Sequence, residues 1–401
     1  MKLNLFILMQ LSAFLFSDAF AQSISQQSIF NIIPQPVKIQ PAQGMFNLDT
    51  TVKIEVSSSD KEVWKTAYLF SKKILVPTGY HLKVVGTVTK KEKAICLVLN
   101  TIPDDVLGKE GYVLEVNPDR INIRANKPAG IFYGIQTLMQ ILPPGIENKS
   151  KITHENWNIH CVSILDYPRF GWRGLMLDVS RHFFQKGFVE KYIDQMTKYK
   201  YNVFHWHLTD DNGWRIEING LPRLTKIGAW RAPRTGDWGS FDIAQPGEKA
   251  TYGGYYTQED IKEIVEYARE RFVTIVPEVD VPAHSLALIA SYPNLSCTQL
   301  QYQVGVGRIK NTVDNVLCVA NDSTWLLLNK IFTQIAALFP GQYIHVGGDE
   351  AYKGFWEQHW KDRALMKREG LGNTKELQSY FEKKLEKLII SKGKKMIGWD
   401  E

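Results

Sequence analysis

The sequence predicts an α/β protein in which a (β/α)8 TIM barrel follows a smaller α+β domain. From residue 173 onward, short apolar runs alternate with amphipathic helical stretches. This alternation is typical of a parallel sheet with right-handed crossovers. Several of the apolar runs also end in ionisable residues, as strands do where their carboxyl ends meet at the mouth of a barrel.

Composition narrows the class of protein. The 401 residues allow two or three domains, and a hydrophobic content of 44% is ordinary for a globular chain. The net charge of +6 is spread along the chain, with lysines beside glutamates on predicted helix faces. No basic run stands apart from acidic neighbours, so no nucleic-acid partner is expected.

Residues 1–21 resemble a secretory signal peptide. A charged start leads into an apolar stretch, and Ala19-Phe20-Ala21 forms a small-x-small cleavage site. The mature chain is expected to begin at Gln22, which makes the protein secreted or periplasmic. The segment is too short and interrupted to span a bilayer, and no later stretch is apolar enough, so no membrane span is expected.

The four cysteines, Cys96, Cys161, Cys297 and Cys318, match no metal-binding spacing. Cys96 lies in an apolar run and is expected to be a small buried residue. Cys297 and Cys318 flank a polar loop, and in an oxidising compartment they predict a disulfide. Cys96 and Cys161 are not expected to pair with each other.

Residues 22–155 predict the α+β domain. A helical pattern covers 128–142 and ends at two prolines, and a polar linker is expected at 147–156. No acid, base and nucleophile gather in this part of the chain, so its expected role is structural support. Its predicted strands are 52–56, 95–99, 112–116 and 121–124.

Residues 156–401 predict the barrel domain, with five strand–helix units. Thr257 and Thr374 are expected to cap two of the helices, each with an acid nearby. A closed barrel needs eight strands, so the chain is expected to end about three units before closure. The predicted strands are 174–180, 202–208, 272–280, 343–346 and 395–399.

Polar residues at the ends of these strands form the candidate site. Carboxylates, a guanidinium group and an aromatic face suit a neutral polyhydroxyl ligand, because arginine donates to hydroxyls while tryptophan covers the apolar side of a sugar ring. The residues are Arg181 and His182, Asp210 and Asp211, Glu278, Asp280 and His284, Asp349 and Glu350, and Trp399.

Structural roles are the alternative for some of these residues. Arg181 could simply pair with Asp178 or Asp210 to hold its loop. A lone histidine such as His284 is more often a hydrogen-bonded structural residue than a functional one. Trp399 could belong to the core.

A metal site is a second alternative. His205 and His207 are two residues apart on one strand and face the same way, as in metal-dependent barrel hydrolases. The pair lies before the strand end, and His345, a third candidate, would have to reach from another strand. We favour a packing or supporting role for these histidines and predict no metal ligands.

Five motifs resemble glycoside hydrolase family 20, the β-N-acetylhexosaminidases, and the similarity covers nearly all of the predicted mature chain. The motifs are 345–350 (HVGGDE), 166–174 (DYPRFGWRG), 178–182 (DVSRH), 207–211 (HLTDD) and 277–284 (PEVDVPAH). Residues 129–138 of the preceding domain (AGIFYGIQTL) also fit the family.

The resemblance implies an exo-acting β-N-acetylhexosaminidase that removes terminal N-acetylglucosamine or N-acetylgalactosamine from glycans without a cofactor. Glu350 is the implied general acid, and Asp349 would orient the 2-acetamido group of the substrate. Arg181 would hold sugar hydroxyls. Asp210, His284 and His345 are the implied supporting residues, and Trp399 would form one wall of the pocket.

The residues themselves agree with a substrate-assisted mechanism. Ordinary glycosidases place two separated carboxyl groups on either side of the bond, whereas Asp349 and Glu350 are chain neighbours whose side chains diverge. An acetamido oxygen acting as the nucleophile removes this difficulty and gives retention of configuration. A sugar-binding fragment without catalysis remains the alternative from another class.

Overall fold

The computed structural model describes residues 30–87, 92–237, 241, 244–245 and 247–400. The predicted signal peptide lies outside these residues. No helix within the described ranges is both long and apolar enough to cross a bilayer. The chain divides into two compact units. The first comprises the chain up to Gly171 with Met196–Lys200 and Glu270–Phe272, and the second comprises Trp172–Gln195, Tyr201–Arg269 and Val273–Glu401.

The first unit is built on a seven-stranded mixed sheet of order β1-β7-β5-β6-β4-β2-β3. Strands β2, β4 and β6 run parallel, while β5 and β7 pair antiparallel with their neighbours. The strands are β1 (Lys38–Asn47), β2 (Lys53–Val56), β3 (Val84–Val85), β4 (Ala94–Leu99), β5 (Tyr112–Val116), β6 (Arg120–Ala125) and β7 (Asn158–Asp166).

Two helices contribute to the same core, α1 (Lys61–Thr78) and α2 (Pro128–Ile141). Asp60 caps α1 by accepting a hydrogen bond from the Glu62 amide at 2.8 Å, and Gly79 ends it in the left-handed conformation. Alternate residues of the strands and one face of each helix are apolar, so their burial joins sheet and helices in one hydrophobic layer.

The sheet extends past the predicted domain boundary. The sequence places that boundary between residues 155 and 156, before β7. In the structure β7 pairs with both β1 and β5, because its alternating apolar residues complete the sheet core. These pairings place β7 in the first unit, which continues to Gly171.

A buried ion pair also belongs to the first unit. Lys200 Nζ lies 2.7 Å from Asp166 Oδ2 and donates to the Tyr112 hydroxyl at 2.9 Å. The same hydroxyl donates to Asp166 at 3.0 Å. Lys200 and Asp166 are both buried, so each charge depends on the other for compensation.

The second unit contains the five parallel strands expected from the sequence. Their order follows the chain: β8, β9, β13, β14 and β15. They are β8 (Gly174–Asp178), β9 (Val203–Asp210), β13 (Thr274–Val279), β14 (Tyr343–His345) and β15 (Lys395–Ile397). The short strands are β10 (Gly213–Trp214), antiparallel to β9, and the pair β11 (Trp230–Arg231) and β12 (Tyr252–Gly253).

Helices lie between the successive parallel strands along the chain. They are α3 (Lys186–Lys198), α4 (Gln258–Arg269), α5 (Leu286–Ser291), α6 (Asp322–Leu338), α7 (Gly354–Gln358), α8 (Trp360–Glu369) and α9 (Thr374–Ile390). Thr257 and Asp260 form the expected reciprocal cap of α4. The expected cap of α9 is wrong by one residue, because the Asn373 side chain accepts the amides of Lys375 and Glu376.

The predicted Cys297–Cys318 disulfide is wrong in this structure, where all four cysteines are free. Residues Ser296 and Leu317 form an antiparallel bridge, which makes Cys297 and Cys318 diagonal neighbours. Both thiols instead approach Asp362.

Candidate active site

The turn after β14 places the two adjacent acids. Gly347 and Gly348 both have left-handed backbones, with φ of +66° and +97°. The Gly348 amide donates to Asp280 Oδ1 at 3.2 Å, which fixes the turn against the end of β13. A Cβ atom on Gly347 would lie 1.7 Å from the same oxygen, so only glycine fits there.

Asp349 and Glu350 differ in their exposure to solvent. Glu350 has a φ of +50°, a strained conformation for a non-glycine residue, and its side chain is 68% exposed. Asp349 is more enclosed, and burial raises the pKa of its carboxyl group. Its Oδ1 atom is buried without a hydrogen-bond partner among the described residues, so an amide N–H of a ligand could satisfy it.

His284 stands between these acids and a deeper carboxylate pair. Its Nε2 lies 3.7 Å from Asp349 Oδ2 and 3.5 Å from Glu350 Oε2. Its Nδ1 lies 3.2 Å from Asp210 Oδ1 and 3.4 Å from Asp211 Oδ2. Burial opposes protonation of the ring, but the two deeper carboxylates outweigh it and raise the pKa of His284 to about 12. The imidazolium is therefore the stable form at neutral pH.

Arg181 is held by two carboxylates. Its Nη1 donates to Asp178 Oδ2 at 2.9 Å, and its Nη2 lies 2.6 Å from Asp210 Oδ2. These are the structural pairings considered as the alternative, yet about a third of the side chain stays exposed. The guanidinium is thus fixed in place and still accessible to a ligand.

Glu278 contacts three histidine side chains. The strand register places it opposite His207 on β9 and His345 on β14. Its Oε2 lies 2.6 Å from His205 Nε2 and 2.7 Å from His207 Nδ1, and its Oε1 lies 3.1 Å from His345 Nδ1. The Trp399 indole N–H donates to the same Oε1 at 3.2 Å.

This network keeps Glu278 charged. The carboxylate is fully buried, which opposes ionisation, but the hydrogen bonds from the three imidazoles outweigh burial and lower the pKa of Glu278. His205 and His207, the predicted metal alternative, both contact this acid. His345 and Trp399 take supporting positions, and 44% of the Trp399 side chain remains exposed.

A cavity of about 590 Å³ lies at the carboxyl ends of the strands. Of the predicted site residues, Arg181, Asp210, Asp211, His284 and Glu350 line it, whereas Asp349 and Trp399 are not among its lining residues. Sequence reasoning missed several lining residues from loops, which carry no periodic pattern: Asn212, Arg308, Lys310, Asn311, Asn315 and Tyr352. Of these residues, only Asn212 could have been predicted from the sequence, because it directly follows Asp210 and Asp211 at the end of β9.

The arrangement combines an accessible carboxyl group, a second carboxylate with an unpaired oxygen and an anchored guanidinium. These groups can protonate a leaving oxygen, orient an amide and bind hydroxyls. This combination of groups is typical of carboxylate-dependent glycoside hydrolases.

The comparisons with known proteins specify the family. The catalytic-domain model of glycosyl hydrolase family 20 matches residues 170–401, and the model of domain 2 of that family matches residues 30–167. The chain belongs to glycosyl hydrolase family 20.

Individual relatives and solved structures of the same family are also similar to this chain. A β-hexosaminidase of Porphyromonas gingivalis is 37% identical over 92% of this chain, which spans 45% of that relative's length. The family 20 β-N-acetylhexosaminidase of Streptomyces coelicolor superposes with a TM-score of 0.77 at 32% identity, covering 92% of this chain and 66% of that one. An exo-β-N-acetylglucosaminidase of Vibrio harveyi, solved with N-acetylglucosamine, superposes with a TM-score of 0.77 at 31% identity. The match covers 93% of this chain and 55% of that one.

Proposed function

We propose that the protein is an exo-acting β-N-acetylhexosaminidase that removes terminal N-acetylglucosamine or N-acetylgalactosamine from glycans with retention of configuration. Similarity to hexosaminidases of the same family supports the activity. The observation that carries the mechanism is the pair of adjacent acids, in which Glu350 faces the cavity while Asp349 keeps one buried oxygen unpaired.

In this mechanism the substrate supplies the nucleophile. Glu350 protonates the glycosidic oxygen while the bond from that oxygen to the anomeric carbon breaks. The acetamido oxygen forms a bond to the same carbon and yields an oxazolinium-type intermediate, as is general for this exception among glycosidases. Water then attacks the anomeric carbon as Glu350 accepts its proton, and the acetamido group is restored.

Asp349 orients the attacking group. The unpaired Oδ1 can accept a hydrogen bond from the acetamido N–H and hold the amide oxygen toward the anomeric carbon. Holding the nucleophile in place removes much of the entropic cost of attack. The cationic His284 lies beside both acids, and its charge opposes the rise that burial causes in the pKa of Asp349.

The remaining cavity residues bind the sugar. Arg181 is anchored by Asp178 and Asp210, so its exposed N–H groups can donate to ring hydroxyls without reorganising. Trp399 does not line this cavity; its indole N–H donates to Glu278, and its exposed face is proposed as a further contact for the sugar. We further propose that the five parallel units belong to a (β/α)8 barrel, since they follow in chain order and carry the site at their carboxyl ends.

The deciding experiment compares aryl β-glycosides of N-acetylglucosamine and of glucose. Because the 2-acetamido group supplies the nucleophile, the N-acetylglucosaminide should be hydrolysed and the glucoside should not. Comparable rates on the two substrates would exclude substrate assistance. Product analysis by proton NMR should show the β-anomer first, since two inversions give retention.

We also propose that the protein is exported, because residues 1–21 combine a basic start, an apolar stretch and a small-x-small end. Amino-terminal sequencing of protein from the native host should begin at Gln22. A mature protein that retains the first 21 residues would contradict export by this signal.

A further inference from the structure

A second cluster of potential ligand atoms lies in the second unit, on the segments that follow β13 and β14. Cys297, Cys318, His359 and Asp362 each offer one donor atom, and the four atoms lie within 4.8 Å of one another. None of these residues lines the candidate active-site cavity. The proposed reaction makes no use of them.

The donor atoms converge on one carboxylate oxygen. Asp362 Oδ2 lies 3.1 Å from Cys297 Sγ, 3.2 Å from Cys318 Sγ and 2.9 Å from His359 Nδ1. Cys318 Sγ is also 3.3 Å from His359 Nδ1. Thiols are weak hydrogen-bond donors, so two of these three contacts contribute little to satisfying the buried carboxylate.

Asp362 needs a compensating charge. Its side chain is fully buried, and within the described parts of the chain its only potential cationic partner is the His359 imidazole at 2.9 Å. An ionised carboxylate in such surroundings is costly unless it is paired or binds a cation. Its other oxygen already accepts the Ala320 amide at 2.7 Å, which fixes the carboxylate plane.

The backbone holds the four residues in place independently of any ligand. The bridge between Ser296 and Leu317 sets the two cysteines side by side, and the Cys318 amide donates to the Leu295 carbonyl at 2.8 Å. His359 and Asp362 stand three residues apart at the start of α8, a spacing that puts both on one helix face. The cluster is thus formed by ordered segments.

We propose that Cys297, Cys318, His359 and Asp362 bind a structural zinc ion. Zinc prefers four sulfur, nitrogen and oxygen ligands in a tetrahedron, with bonds of about 2.0–2.3 Å. Such bonds place neighbouring ligand atoms roughly 3.3–3.8 Å apart, so the observed contacts need to open by only a few tenths of an ångström. Four protein ligands leave no open position, which is typical of structural sites.

The ion would fasten two functional segments together. The segment after β13 contains both cysteines and also His284, while the segment after β14 contains His359 and Asp362 downstream of Glu350. The Trp356 indole N–H already donates to the Leu317 carbonyl between these segments at 3.0 Å. Zinc would add a much stronger link and keep both thiols reduced in an oxidising compartment.

The first test measures metal and thiols in the purified wild-type protein. Mass spectrometry of the metal content should give about one zinc per chain. After removal of zinc with a chelator under reducing conditions, added Co²⁺ should produce absorption bands from thiolate-to-cobalt charge transfer. It should also produce the visible d–d bands of tetrahedral cobalt. Failure to take up either ion with both thiols reduced would overturn the proposal, as would a native Cys297–Cys318 disulfide found by peptide mapping.

Variants assign the ligands. Cys318→Ser and Asp362→Ala should lose the zinc and lower the melting temperature, whereas Cys161→Ser, at a buried cysteine outside the cluster, should retain one ion. His359→Cys provides the sharpest contrast. It supplies a better zinc ligand but removes the imidazole, so it should retain zinc if the cluster binds metal. Loss of zinc in His359→Cys or retention in Cys318→Ser would contradict the assignment.

Discussion

At the scale of single residues, the proposed catalytic roles depend on the different surroundings of two neighbouring acids. Glu350 is largely exposed at the cavity, and Asp349 is half-buried. The sequence could predict this pair because two glycines followed by two acids serve no purpose in a core. It could not predict the role of Glu278, since its three histidines come from β9 and β14 and meet it only through the strand register.

Glu350→Gln should remove the general acid. We expect turnover of substrates with poor leaving groups to fall by about 10²–10⁴, with little change in KM, because the amide cannot donate the required proton. Steady-state kinetics on a natural disaccharide measure this. Glu369→Gln, at the end of α8, is the matched control and should behave as wild type. Normal turnover in Glu350→Gln would remove Glu350 from the mechanism.

His284 should make stability depend on pH. Its pKa is raised to about 12, chiefly by Asp210 and Asp211, so its stabilising contribution is complete below the ordinary histidine pKa of about 6.5 and is lost as the pH rises toward 12. His284→Gln lacks this contribution. The melting-temperature gap between wild type and variant should therefore be larger at about pH 6 than at about pH 9.

Asp349 and Glu350 also face the His284 ring, at 3.7 Å and 3.5 Å from its Nε2 atom. Differential scanning calorimetry of the two proteins in matched buffers measures the gap. A gap that stays constant between the two pH values would show that His284 is not held as an imidazolium.

At the scale of elements, the turn after β14 shows how local backbone geometry sets the site. Its two left-handed glycines allow Asp280 to approach the turn closely, and this contact aims the acids that follow. Sequence reasoning located the turn correctly from the glycines. It could not identify Asp280 as the group that requires them, because that contact joins residues 68 positions apart.

Gly347→Ala should damage both stability and activity. The left-handed φ alone costs an alanine about 1–2 kcal/mol, and overlap with Asp280 should add about 1–3 kcal/mol. Gly370→Ala separates these effects, since Gly370 has a φ of +69° and open space around its Cβ position. In urea denaturation, the free energy of unfolding should be highest for the wild type, lower for Gly370→Ala and lowest for Gly347→Ala. Equal losses in the two variants would show that the contact with Asp280 is unimportant.

At the scale of the whole molecule, composition and periodicity predicted the two-part organisation and all five parallel strands. Those features follow from local patterns of apolar residues. The extent of the first unit does not follow from such local patterns, because β7 and the segments 196–200 and 270–272 join it through long-range pairing and packing. The ligand cluster around Asp362 was not predicted for the same reason, because its two cysteines are far in sequence from His359 and Asp362.

The buried ion pair of the first unit provides a test at this scale. Lys200→Met should destabilise the protein by about 3–5 kcal/mol, because it leaves the Asp166 charge buried without compensation. The double variant Lys200→Met with Asp166→Asn should recover part of that loss. Chemical denaturation of the three proteins measures the coupling, and a double variant no more stable than Lys200→Met would contradict it.

The interrupted path of the first unit also constrains its biogenesis. A ribosome makes the chain from the amino terminus, and domains usually fold as units once they have emerged. Here the sheet is synthesised by residue 166, but Asp166 has no cationic partner until Lys200 follows, and Phe272 reaches the core last. The first unit therefore gains its last packing contact only after roughly a hundred further residues have been synthesised.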